Sequence, residues 1–105
     1  MSVKGYVNIV RLRVGDNLVS KVLVDGGSSS DILFWDAFQR MRIKQEEIWP
    51  VKASLLAFNG AEVKPLGMIV LPMYAADRIV KIKFLVVNTP SAVNVIMGRG
   101  WIHAV

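Results

Sequence analysis

Of the 8 acidic residues in this chain, Asp25 is the one set up for chemistry. It follows the run Lys21-Val22-Leu23-Val24 and precedes Gly26, Gly27, Ser28, Ser29 and Ser30. The apolar run reads as a buried strand, which puts the carboxylate at a strand end. Two glycines lift the Cβ restriction on φ and open room around the acid, and the serines supply hydroxyls that can bond the backbone or the carboxylate. An acid held in that way can exchange a proton with a bound molecule. Taken alone, Asp-Gly-Gly is more simply a strand-to-loop turn with a solvated acid. The rest of the chain has to decide between the two.

Other chemistries find little support. The chain has no cysteine, which removes disulfides, thiolate metal sites and a thiol nucleophile, and a single histidine, His103, builds no metal site by itself. Ser28, Ser29 and Ser30 with His103 lack the Gly-x-Ser-x-Gly elbow of a serine hydrolase. Gly26-Gly27-Ser28 lacks the lysine of a phosphate loop, and Asp25 would repel the anion. No cofactor is implied. The net charge of +5 comes from lysines and arginines spread along the chain. It affects solubility and general attraction to polyanions, and without exposed aromatics between the basic residues it predicts no dedicated nucleic-acid surface. No apolar run reaches the ~18 residues that cross a bilayer, and the start of the chain has no signal-peptide core. The expectation is an intracellular, unsecreted protein that makes no membrane contact.

At 105 residues the chain is read as one domain, residues 1–105, burying roughly 60–70% of its unfolded surface. A hydrophobic share of 53% and a mean hydropathy of +0.44 exceed what a small monomer needs, and the surplus suggests a covered interface.

Alternation of apolar and polar residues, rich in β-branched types, predicts strands almost throughout. Val10, Leu12 and Val14 share one face of a first strand, with Arg11 and Arg13 on the other. Gly15-Asp16-Asn17 turns the chain into a second arm, Val19 to Val24, that delivers Asp25. Asp31 to Phe34 reads as a short strand and Trp35 to Met41 as a short helix. Asn59-Gly60, between apolar stretches, predicts a tight hairpin tip. Pro65 and Pro72 bracket Gly67 to Leu71, a strand whose ends are expected not to sit in mid-sheet. Val80, Ile82 and Phe84 alternate with Lys81 and Lys83, and Val93 to Met97 forms the last strand. Trp35, Trp49, Trp101 and Phe38 are expected in the core or an interface. A faint internal echo, a buried strand ending in glycine, links Val22–Gly27 to Val95–Gly98. Short strands at this spacing predict an all-β, closed or folded-over barrel.

In order and spacing, these features resemble the retropepsin-type aspartic proteases, and most of all the protease segment of plant gypsy-type LTR-retrotransposon Gag-Pol polyproteins. The segments that carry the likeness are Val22 to Phe34, Ala57-Phe58-Asn59-Gly60, Pro65 to Pro72, Phe84 to Val87 and Pro90 to His103, nearly the whole chain from Val7 onward. The resemblance implies an all-β barrel subunit with a flap hairpin and one or two short helices, working as a homodimer on an extended peptide or polyprotein. It assigns Asp25 as the catalytic acid, Gly26, Gly27 and Ser28 as the active-site loop, and Phe58, Asn59, Gly60 and Ala61 as the flap. Ile32, Val93 and Ile96 become candidate substrate-pocket residues, with Gly98 and Arg99 as structural support. Ser28 is expected to bond the outer oxygen of the Asp25 carboxylate.

Chemistry gives its own reason for a dimer. Hydrolysing a peptide without metal or covalent nucleophile needs one group to take a proton from water and another to give one to the amide. Two close carboxyls sharing one proton do both, and a chain with one such acid needs a second copy.

The sequence departs from the family pattern in places. Gly26 stands where Thr or Ser is usual, removing a cross-dimer hydrogen bond. Gly100 stands where proline often follows Gly-Arg, a change expected to loosen the helix start. Arg99 has Asp31 as its nearest acidic partner. Many members of the family build a dimer sheet from C-terminal strands, and a chain ending at Val105 reads as weakly dimerising or C-terminally truncated, from which concentration-dependent or absent activity is expected. The alternative reading is a catalytically inactive remnant of the fold serving as a dimerisation or peptide-binding module.

Overall fold

The computed structural model describes residues 10–56, 62–75 and 78–104. Among the described residues there are eight strands, β1 (Val10–Val14), β2 (Asn17–Val24), β3 (Asp31–Phe34), β4 (Leu55–Leu56), β5 (Glu62–Val63), β6 (Gly67–Ala75), β7 (Arg78–Val87) and β8 (Val95–Met97), with helices α1 (Trp35–Arg40) and α2 (Arg99–Ala104). Six strands close into a barrel in the order β1-β2-β8-β3-β7-β6, and β4 and β5 form a separate antiparallel pair. The all-β barrel with short helices is therefore the architecture that forms.

Register explains which side chains form the core. Val22, Val95, Leu33 and Val86 are partners in successive strands and each has 0% exposure. One step along, Met97 on β8 and Phe84 and Ile69 on the paired β7 and β6 are equally buried. The echo between Val22–Gly27 and Val95–Gly98 proves to be a pairing: β2 and β8 run parallel, side by side, with Val24 opposite Met97. Trp101 of α2 and Phe38 of α1 belong to the same core, and half-buried Trp35 stacks on Phe38 with ring centroids 5.3 Å apart. Trp49 does not join them and is 44% exposed.

Three local features add to or differ from the sequence expectation. Strand β6 runs straight through Pro72, which pairs with Lys81 of β7. In an antiparallel strand a residue's N and C=O point to the same side, and the Pro72 carbonyl accepts from Gly15 N–H at 2.8 Å. The missing N–H thus faces the β1–β2 turn, past the end of the β1 ladder, and costs no barrel bond. In β2, Val10 faces Val22 but Leu12 faces Val19, so the strand carries an extra residue, and Lys21 takes a φ of 55° there. Strand β8 is also shorter than expected, leaving Val93 and Asn94 in the preceding loop.

Candidate active site

The β2–β8 ladder continues past the end of β2, because Asp25 N–H donates to the Met97 carbonyl at 2.9 Å. Alternation along an extended strand then fixes directions: Val22 and Val24 turn into the core, and Leu23 and Asp25 turn to the opposite face. The Asp25 carboxylate is half-buried, and its Oδ1 accepts from Gly27 N–H at 2.9 Å. A Cβ on Gly27 would lie 3.2 Å from that oxygen. Close approach is what glycine allows at this position; among the described residues the positive-φ glycines are Gly15 and Gly67, so the loop does not use a left-handed backbone here.

The Ser28 hydroxyl does not reach the Asp25 carboxylate. It donates to the Ser30 carbonyl at 2.8 Å, which folds the loop on itself. Ser28 N–H donates to the Asp25 carbonyl at 3.1 Å, completing a turn directly behind the acid.

A second clamp comes from the far end of the sequence. Arg99 N–H donates to the Ser28 carbonyl at 2.9 Å. Gly98 packs so closely that a Cβ there would overlap the carbonyls of Ser28 and Ser30. Asp31, only 5% exposed, accepts from Gly98 N–H at 2.6 Å and from Trp101 N–H at 3.3 Å. Burial raises its carboxyl above the usual 3.8, and the Gly98 and Trp101 donors oppose the shift without cancelling it. The expected Arg99–Asp31 side-chain pairing is thus replaced by backbone bonds: Asp31 caps the start of α2, and the Arg99 side chain is exposed. Gly100 leaves room for this cap, since a Cβ there would overlap the Asp31 carboxylate.

Across the face that bears Asp25, the register sets one apolar row. Leu23 on β2 faces Ile96 on β8, which faces Ile32 on β3, which faces Leu85 on β7. All four are half-buried, unlike the fully buried row beside them. The structure thus brings Ile32 and Ile96 together; Val93, half-buried, stays in the loop before β8, where its N–H bonds the Ser91 hydroxyl. Leu23 was hidden in what reads as a uniformly buried run, although its position two residues before Asp25 already puts both on one face. The row leads to a groove of about 460 Å³ lined by Ser29, Ser30, Asp31, Lys81, Lys83 and Leu85, among others. Asp25 stands outside that groove, which begins on the same loop.

Asn94 is a further residue that sequence reasoning did not single out. Its N–H donates to the Lys21 carbonyl and its side-chain amide to the Ser20 carbonyl, both at 2.9 Å, and its Oδ1 accepts from Arg40 at 2.6 Å. It ties the β2 bulge to the entry of β8, just upstream of Asp25. No sequence signal marks it, because the bulge it serves is a tertiary feature. The expected flap residues Phe58, Asn59, Gly60 and Ala61 lie outside the described residues; the β4–β5 pair that flanks them sets Leu55 against Val63. Among the described residues no group of His, Cys, Asp and Glu could hold a metal ion, and no helix is long and apolar enough to cross a membrane.

In backbone shape the chain is similar to the EIAV protease complexed with the inhibitor HBY-793, with a TM-score of 0.72 and 18% identity over 88% of this chain and 81% of that one. It is also similar to a retropepsin-like aspartic protease from Rickettsia conorii, with a TM-score of 0.65 and 17% identity over 93% of this chain and 69% of that one. A Legionella pneumophila protein with unknown function gives a TM-score of 0.56 and 14% identity over 98% and 89%. At such identities the likeness is one of fold, and the fold is retropepsin-like. No protein-family model matches the sequence, and no curated protein does.

Proposed function

We propose that the chain is one subunit of an aspartic endopeptidase of the plant gypsy-type retrotransposon kind, hydrolysing extended peptides as a homodimer. The reading is carried by the half-buried Asp25 carboxylate at the end of β2, on the same face as the row Leu23, Ile96 and Ile32, within a retropepsin-like barrel. Asp25 of one subunit takes a proton from water as the water oxygen bonds the scissile carbonyl carbon. Asp25 of the other gives its proton to the carbonyl oxygen. As the C–N bond breaks, the protonated Asp25 gives its proton to the amine nitrogen while a hydroxyl of the tetrahedral intermediate gives its proton to the other Asp25, so the dyad again holds one proton. The apolar row supplies side-chain contacts flanking the scissile bond.

The test is cleavage of a mixed peptide library at mildly acid pH, with and without pepstatin, over a dilution series. Pepstatin-sensitive cleavage whose specific activity falls on dilution is expected, since half a site does no chemistry. Cleavage that ignores pepstatin, or that keeps its specific activity at every dilution down to a demonstrated monomer, would remove the paired-acid mechanism.

A further inference from the structure

Resting on that reading, we infer that the groove beside the active-site loop selects substrates carrying an acidic side chain a few residues from the scissile bond, with Lys81 and Lys83 as the selecting residues. The groove is lined by Ser29 and Ser30 of the loop, by Gly100 of α2, and by Lys81, Lys83 and Leu85 of β7, among others. Lys81 and Lys83 are both exposed, and alternation puts them on one face, ~7 Å apart along the strand. Leu85, next on that face, also ends the apolar row that starts at Leu23 beside Asp25. The groove is therefore a continuation of the face on which a peptide would lie.

Charge determines what fits. Among the described residues the groove's acidic lining is Asp31, whose carboxylate is turned inward onto Gly98 and Trp101 N–H. Two ammonium groups thus line an open groove in which, among the described residues, the one carboxylate is committed elsewhere, and an incoming carboxylate is the complementary group. Distance determines where that carboxylate sits. Ser29 is four positions beyond Asp25, a span of at most about 14 Å, which an extended peptide covers in about four residues. A peptide is favoured over a nucleic acid because the groove is short, ends in Leu85, and has no aromatic lining for base stacking.

The experiment measures binding to the Asp25→Asn chain by fluorescence anisotropy. The probes are labelled peptides with an apolar centre, identical except for Glu, Gln or Lys at the fourth position from the centre on both sides. Affinity in the order Glu, Gln, Lys is expected, with Glu over Gln by about three- to fivefold. The added pair Lys81→Gln and Lys83→Gln should bring that ratio close to one. The pair Lys44→Gln and Lys52→Gln removes the same net charge elsewhere and should leave the ratio in place. A ratio that survives the loss of Lys81 and Lys83, one that falls equally in the control pair, or no discrimination among the probes would each overturn the inference. So would an oligothymidylate that binds more tightly than the Glu peptide through the same two lysines. Hydrolysis by the parent chain is read separately. Charge-selective binding without hydrolysis sinks the peptidase reading and leaves the groove, whereas hydrolysis without charge selectivity does the reverse.

Discussion

Asp25 and Asp31 stand at the two ends of one loop, yet the fold leaves the first carboxylate half-buried against Gly27 N–H and sinks the second to 5% exposure under Gly98 and Trp101 N–H. The first ends a strand on the outward-facing side; the second starts a strand on the inward-facing side. The same side-chain chemistry therefore yields an accessible carboxylate in one place and an internal brace in the other. What separates them is strand parity and the backbone donors within reach. If that is right, the two acids should fail in different ways when changed.

The largest expected effect is on turnover. Asp25→Asn should lower peptide hydrolysis by about 10³-fold or more, while leaving the urea midpoint nearly unchanged, because the amide keeps an oxygen for Gly27 N–H. A variant as active as the parent would end the assignment of Asp25. Asp31→Ala should behave in the opposite sense, costing about 2–4 kcal/mol of stability by orphaning the Gly98 and Trp101 donors, as measured by urea unfolding. A neutral outcome would mean that the α2 cap is dispensable. Gly100→Ala sharpens the comparison from the other side. Helix propensity alone predicts a gain of about 1 kcal/mol, whereas the overlap with the Asp31 carboxylate predicts a loss of about 1–3 kcal/mol. The sign of the change in midpoint decides.

The smallest effect is a pH dependence. The Asp31 carboxyl is raised above 3.8 by burial, so the folded state binds its proton more tightly than the unfolded state does. Its contribution to stability is fully present below the unfolded value and is lost as pH rises through the folded one. The stability difference between parent and Asp31→Asn should therefore shift against the parent as pH rises across the acid range. Urea midpoints taken for both chains across that range check it, and parallel curves would rule the shift out.

Much of this was legible beforehand, for identifiable reasons. Alternation at Val80 to Phe84 states which face is inside, whereas the order of strands in the barrel depends on pairings between distant segments. The placement of Asp25 at the end of β2 was legible because the apolar run and the glycines mark both sides of it. Pro72 misled because its effect depends on which side of the strand its nitrogen faces, a matter of register rather than of type. Asp31 looked like a partner for Arg99 because sequence shows charges and not the backbone N–H groups of a helix start. Ser28 misled for a related reason, a local carbonyl being nearer than the acid. Leu23 and Asn94 act through strands that meet only in the fold, one across the β2–β8 pair and one across a bulge.

The brace on the active-site loop joins Asp31 to Gly98, 67 positions away along the chain. Contacts that distant form only once the intervening polypeptide has been made and folded back, at the entropic cost of closing a long loop. During synthesis, then, a nascent chain that has exposed Asp25 but not yet β8 owns the acid without the frame that holds it. The loop around Asp25 therefore takes its final shape late, after β8 and the start of α2 have been made.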